Sequence, residues 1–208
     1  QLIILKMKTR FLLLISALTL ALSAAAEKPA QILERCANQI RTARSLSANF
    51  SVAGPNVLSS GSITLAGEKF RISSSDLTVW YDGTTQWSYM PSAKEVDISE
   101  PTPEELQEIN PFAIINTLRK AYVAKAVKSA KDVHKLSLTA KNAKAQVTKV
   151  DLTIDVKTMW PKEIVVYRKG SGPVTIKVSD VKIGIGLAAS FFQFDKSKYK
   201  GVEVVDLR

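Results

Sequence analysis

Hydrophobic residues change their spacing along this chain, and each change marks a structural boundary. Near the start, Ile32, Leu33, Cys36, Ala37, Ile40 and Ala43 recur at helical spacing, with Gln31, Glu34, Arg35, Asn38 and Arg41 opposite. That pattern predicts a helix from Pro29 to Arg44. Proline suits the first helical turn, and Cys36 falls on the apolar face, where a thiol behaves as a small hydrophobe. From Ser47 the period becomes two. Phe50 and Val52 alternate with small polar residues, Gly54-Pro55-Asn56 turns, and Val57 to Ala66 returns with Ile63 and Leu65 on one face. Gly67-Glu68-Lys69 turns again, and Phe70 and Ile72 follow. Leu77 to Tyr81 and Gln86 to Met90 flank Asp82-Gly83, a tight-turn signal, and predict a hairpin whose second strand carries Trp87 and Tyr89 on one face. Pro91 ends that strand, and Glu95 to Ile98 forms another.

The pattern breaks at Pro101-Thr102-Pro103. Glu104 to Ile109 predicts a short helix with Thr102 as its cap. Asn110 and Pro111 open a second helix, with Phe112, Ile115 and Leu118 as its apolar stripe. Strands resume over Ala121–Val127, Val133–Ala140, Lys149–Val156, Lys162–Arg168 and Val174–Lys182, and Ala188 to Phe194 closes the series with three phenylalanines. Leu152 and Ile154 share a face, as do Ile164 and Val166, and Val174, Ile176 and Val178. Closely spaced turns between alternating strands indicate an antiparallel sheet. Its apolar face must be covered, and a few short helices fill that face less densely than a second sheet. Two architectures satisfy this: a closed, filled barrel, or a curved sheet holding an apolar cavity under a helical lid.

The first 26 residues read as a leader. Met7-Lys8-Thr9-Arg10 is basic, Phe11 to Leu22 is apolar, and Ser23-Ala24-Ala25-Ala26 is a small-residue cleavage region. This is the form of a secretory signal peptide cut after Ala26, with an uncleaved anchor as the alternative that the lack of an apolar extension disfavours. The six residues before Met7 read as upstream translation. Residues 27–208 then form one domain, long enough for a single core. The one cysteine excludes an intrachain disulfide. The formal charge of +10 becomes +7 once Lys6, Lys8 and Arg10 leave, because no acidic residue leaves with them. Lysines punctuate the middle third without interleaved aromatics, so no stacking platform for nucleic acid is indicated.

Catalytic constellations are lacking. His134 is the only histidine, so no zinc-type site is expected. There is no G-x-S-x-G, and the glycine pair Gly184 and Gly186 lacks the rest of a dinucleotide fingerprint. The chain is read as a non-enzyme without metal or cofactor.

Several segments, in order, resemble the periplasmic outer-membrane lipoprotein carriers, the LolA-like family. Tyr81-Asp82-Gly83 with Gln86-Trp87-Ser88-Tyr89-Met90-Pro91 resembles that family's D-G-x-x-L-W-x-Y-x-P hairpin. Leu46-Ser47-Ala48-Asn49-Phe50-Ser51 resembles its first-strand entry. Gly61-Ser62-Ile63-Thr64-Leu65 followed by Lys69-Phe70-Arg71-Ile72 resembles G-x-L-x-L…F-R-W. Asn110-Pro111-Phe112 resembles its N-x-P-F/L loop. Phe192-Gln193-Phe194 and Gly201 to Asp206 resemble its terminal F-x-F…G-V-x-V-x-D pattern. The resemblance implies an α+β, mainly β fold: a half-open, incomplete antiparallel β-barrel whose apolar concave face is covered by a helical lid. It implies a soluble periplasmic carrier that binds lipoprotein acyl chains, or another lipid, in that cavity and moves them toward the outer membrane. A lipid- or lipoprotein-sensing module of the same fold is the alternative. It also implies an inner-membrane release complex and an outer-membrane acceptor as partners, with the chain acting as a monomer. On the apolar faces, Ile63, Leu65, Phe70, Ile72, Val79, Trp87 and Leu152 are the expected sheet contacts of the cargo, and Ile32, Ile40, Phe112 and Ile115 those of the lid. One feature departs from the family. Its well-studied members carry a K-R-P arginine before the F-R-W segment that ties sheet to lid, and Leu65-Ala66-Gly67-Glu68 stands here instead.

Overall fold

A computed structural model describes residues 27–102, 105–106 and 117–208. The first helix, α1, runs Pro29–Thr42 and buries Ile32, Leu33, Cys36, Ala37 and Ile40. Full burial of each larger side chain in that stripe stabilises the docked helix by about 1.5–3 kcal/mol. Gln31 Oε1 accepts a hydrogen bond from the Lys28 backbone N–H at 3.2 Å, satisfying one donor at the helix entry.

Twelve strands follow: β1 Ser45–Gly54, β2 Val57–Ala66, β3 Lys69–Ser74, β4 Thr78–Tyr81, β5 Gln86–Met90, β6 Glu95–Ser99, β7 Tyr122–Val127, β8 Val133–Ala140, β9 Val147–Asp155, β10 Pro161–Arg168, β11 Val174–Ile183 and β12 Glu203–Asp206. They form one sheet in the order β12-β6-β5-β4-β3-β2-β1-β11-β10-β9-β8-β7. β7 and β12 are its two edges, so the sheet does not close into a barrel. The incomplete barrel expected from the resemblance is the observed fold. The strand boundaries match the alternation to within about two residues. Every neighbouring pair is antiparallel except β12 with β6, which is parallel. A parallel partner needs a long crossover, and the segment between β11 and β12 supplies it. That segment includes two 3-10 turns, Ala189–Phe192 and Lys196–Lys198.

The hairpin turn forms as its sequence predicts. Asp82 Oδ1 accepts hydrogen bonds from the backbone N–H groups of Thr84 at 3.1 Å and Thr85 at 3.0 Å. Gly83 takes φ 105°, which a side chain would strain. At Pro101, Thr102 Oγ1 accepts from Glu105 N–H at 3.3 Å, and Glu105 Oε2 accepts from Thr102 N–H at 2.8 Å. This reciprocal capping box bears out the Thr102 cap. Residues 105–106 and 117–121 are helical. Phe112, Ile115 and the Asn110-Pro111 cap lie outside the described residues.

One core spans the inner face, the side of the sheet on which α1 lies. It joins α1 to Leu46, Leu65, Phe70, Val79 and Tyr81 on one arm and Leu136, Leu138, Val150, Leu152 and Ile154 on the other. Phe70, Leu138 and Ile154 are fully buried. The opposite, outer face carries a second set. Trp80 packs edge-on against Phe194 and Tyr199, and Tyr89 against Tyr199. Arg71 lies over the rings of Trp80 and Phe191. The chain after β11 thus covers the outer face of β3 to β5.

Candidate functional site: the inner apolar face

Register places the inner positions in rows. Leu46, Leu65, Phe70 and Tyr81 form one row across β1 to β4. The next is Ala48, Ile63, Ile72 and Val79. On the other arm, Leu136, Leu152, Ile164, Ile176 and Val52 align from β8 through β11 to β1. Leu138, Val150, Val166 and Val174 form a parallel row. Under α1, Leu46, Leu65, Phe70, Tyr81, Leu136, Leu138, Val150 and Leu152 are buried, while Ile63, Ile72 and Ile164 are partly buried against them. On the floor, Phe50, Val52, Val166, Val174, Ile176 and Val178 are apolar, share the inner side and are only partly buried. Beyond them, at the β1–β2 turn, Val57 is 38% exposed.

Gly61 shapes this floor. Its position faces Phe50 across β1 and β2. A Cβ there would lie 2.0 Å from the Ser73 carbonyl oxygen and 2.9 Å from the Phe50 ring. Only glycine allows β2 and β3 to approach so closely while the Phe50 ring lies across them.

The apolar side of the sheet then inverts. On β5 and β6 the inner positions are Gln86, Ser88, Met90, Glu95, Asp97 and Ser99, while Trp87, Tyr89, Val96 and Ile98 point outward. The inner face therefore passes from aliphatic floor to polar rim along one sheet. Gln86 Nε2 donates to Ser88 Oγ at 3.2 Å, and Gln86 Oε1 is buried with no hydrogen-bond partner among the described residues.

The structure brings most of the sequence-predicted site residues together. Ile32, Ile40, Leu65, Phe70, Val79 and Leu152 lie in the buried core, and Ile63 and Ile72 pack against it. Trp87 does not join them. It is the cross-strand partner of Trp80, on the outer face, whereas Val79 faces Ser88. Assigning both Val79 and Trp87 to one face ignored the register across the turn: directly paired residues share a side, and these two are diagonal. The partly buried floor was missed in the opposite way. The alternation of Val174, Ile176 and Val178 was visible, but nothing in it said what packs over each strand.

An ion pair joins α1 to the helical residues that precede β7. Glu34 of α1 pairs with Arg119 Nε at 2.5 Å, linking α1 to helical residues 117–121. Leu118, beside it, is buried in the core. Cys36, on the buried face of α1, is 1% exposed, and burial pushes its thiol pKa up to about 12. It is not a nucleophile in this state. A separate cleft of about 510 Å³, of mixed polar and apolar lining, lies between α1 and the β9–β10 turn, with Arg35, Lys157 and Trp160 in its wall. Among the described residues no three His, Cys, Asp or Glu side chains gather as metal ligands. Also among them, no helix is long and apolar enough to cross a membrane.

The sequence pattern of the family described as "Outer membrane lipoprotein carrier protein LolA" matches residues 19–171. The chain belongs to this family. Among solved structures, it resembles an uncharacterized conserved protein from Thermus thermophilus, with TM-score 0.57 and 14% identity over 85% of this chain and 97% of that one. It also resembles MucB, with TM-score 0.50 and 14% identity over 85% of this chain and 65% of that one. A LolA superfamily protein from Nitrosomonas europaea aligns over 82% of this chain and 100% of that one, at 18% identity and TM-score 0.41. At such identities the likeness is one of fold. No curated protein sequence matches the chain.

Proposed function

We propose that this LolA-family chain is a soluble periplasmic carrier that binds the acyl chains of lipoproteins on its inner face and moves them toward the outer membrane. The observation that carries this reading is the partly uncovered floor of Phe50, Val52, Val166, Val174, Ile176 and Val178, contiguous with the core that α1 covers. An acyl chain laid along that floor and under a displaced α1 exchanges water for apolar surface at about 25 cal/mol per Å². No catalytic group is needed, and the chain acts as a non-enzyme. Release then requires only that α1 recover its own contacts, so cargo and helix compete for the same side chains. The leader-like start and the family's description both support a periplasmic location. Transfer onward implies a donor and an acceptor at the two membranes.

The test is binding of a fluorescent fatty-acid probe, together with mass spectrometry of lipid carried through gentle purification. Ile176→Glu, on the floor, should lose probe binding while keeping its circular dichroism. Lys177→Glu, one residue away and exposed on the outer side, should bind as the parent does. Equal binding by Ile176→Glu would reject the floor as the site. Bound diacyl phospholipid in place of lipoprotein would move the cargo to another lipid class.

A further inference from the structure

The net positive charge of the domain sits in one place. Residues 120–149 carry eight lysines and one acid, Asp132, a net +7. The rest of residues 27–208 holds eighteen basic and eighteen acidic side chains and is neutral. These thirty residues are β7, β8, their turns and the start of β9, the wing that ends the sheet. Among the described residues β7 pairs only with β8, which leaves it at the edge of the sheet.

The lysines line that wing from end to end. Lys128 and Lys131 occupy the β7–β8 turn, and Lys141 and Lys144 the β8–β9 turn, with Lys120 beside them: Lys141 N–H donates to the Ala121 carbonyl at 2.9 Å. Lys125 and Lys135 lie between, on the outer side, where Val127 pairs with Lys135 and Lys125 with Ser137. A six-residue strand is only about 20 Å long, so neighbouring charges stand close to one screening length, about 8 Å at physiological salt. Their fields therefore add. Among the described residues Lys149 alone of the eight meets a carboxylate, Asp151 at 2.9 Å. Two aliphatic side chains stand among the cations, Val123 and Val127, each 49% exposed.

We propose that this β7–β8 wing adsorbs to an anionic lipid bilayer surface. All eight cations are lysine. A lysine ammonium is a hydrated point charge suited to a diffuse negative potential, whereas recognition of individual carboxylates on an acidic protein favours the planar fork of arginine. The exposed valines are short enough to enter the headgroup layer and too few to hold the protein there unaided. Adsorption is therefore weak, salt-sensitive and reversible, and it acts on a surface separate from the apolar floor. It stands or falls independently of the cargo.

Co-sedimentation of the full chain lacking residues 1–26 tests this with two vesicle preparations, phosphatidylcholine alone and phosphatidylcholine with about one-third phosphatidylglycerol. Binding should appear only with phosphatidylglycerol and vanish near about 0.5 M salt, where screening lengths shrink to a few Å. Reversing Lys125, Lys128, Lys131 and Lys135 to Glu should weaken it at least about tenfold. Reversing Lys196, Lys198 and Lys200, in the crossover between β11 and β12, should change it little. Equal binding to both vesicle types, or persistence in high salt, overturns the proposal. So does an unbound parent chain that instead captures a poly-glutamate peptide, or that only aggregates when these lysines are removed, since lysines on an edge strand also block edge-to-edge pairing.

Discussion

Trp80 and Tyr81 are neighbours in β4 and pack into different cores. The Tyr81 ring lies 5.2 Å from Phe70 on the inner face, while the Trp80 ring lies 5.7 Å from both Phe194 and Tyr199 on the outer face. All four residues of β4 are buried as a result. The crossover that follows β11 is held over the sheet by aromatic contacts and by the side-chain hydrogen bond from Gln193 Nε2 to Asp82 Oδ2 at 3.1 Å. It is a strap fastened at Trp80.

Trp80→Ala should therefore loosen that strap selectively. A large-to-small aromatic change in a core costs about 3–5 kcal/mol. Trypsin cleavage at Lys196 and Lys198 should accelerate strongly in the variant while the α1 side stays protected. Tyr81→Phe, which keeps the inner contact, should leave the strap intact. Unchanged cleavage in Trp80→Ala would show that the strap is held elsewhere.

Gly61→Ala is expected to be severe for a residue with no side chain. The added carbon would meet the Ser73 carbonyl oxygen at 2.0 Å, a backbone atom that cannot rotate away. The strands must separate or the β2–β3 pairing must slip, so the loss should exceed the about 1 kcal/mol typical of point substitutions. Urea denaturation reads it directly. A midpoint equal to the parent's would mean that β2 and β3 part easily, and with them one wall of the floor.

These two positions show what the sequence makes legible. The Asp82-Gly83 turn, the alternation on either side and the helical stripe of α1 are local signals, and the strands and helix formed where those signals place them. The half-open sheet came from the resemblance, because periodicity leaves open and closed sheets equally satisfied. What escaped the sequence is relational. Trp87 looks like any aromatic strand residue until the register sets it opposite Trp80. Phe191 and Phe194 were visible as a cluster, but their cover of the outer face depends on contacts more than 100 residues away in sequence, with Arg71 and Trp80, and on the Gln193–Asp82 bond between residues 111 apart. The partial burial of the floor depends on what packs over it, which no strand pattern encodes.

Acid should weaken the strap through Asp82. Burial alone would raise its pKa, but hydrogen bonds from Gln193 and from the Thr85 and Thr84 backbone, with Lys69 nearby, outweigh that and hold it below the ordinary carboxylate value. A depressed folded-state pKa means that stabilisation is present above the unfolded value, about 4, and is lost as pH falls through the folded one. Asp82→Asn keeps the turn's acceptor oxygen and removes the titration. Its melting temperature should fall less steeply than the parent's below about pH 4. Parallel slopes would show that Asp82 does not contribute to acid sensitivity.

Cys36 offers a direct readout of the lid. Its thiol is enclosed on the buried face of α1, and burial pushes its pKa up to about 12. The native state therefore keeps a proton that the unfolded chain releases near its ordinary value of 9.0, so this stabilisation is full below that pH and declines as pH rises from there toward 12. At neutral pH a thiol reagent should reach Cys36 only when α1 lifts. If acyl chains take the place of α1 on the sheet, adding fatty acid should speed labelling several-fold without unfolding the protein. The Glu34–Arg119 pair bears on the same motion. It joins α1 to helical residues 117–121, and with side chains 40% and 28% exposed it is worth at most about 1 kcal/mol. That is enough to change the open population by up to about fivefold. Glu34→Gln should accordingly raise the labelling rate by no more than that factor in the absence of lipid, and less once lipid already holds α1 away. Labelling that ignores fatty acid while the probe still binds would place the cargo on the floor alone, with α1 as a fixed plug instead of a lid.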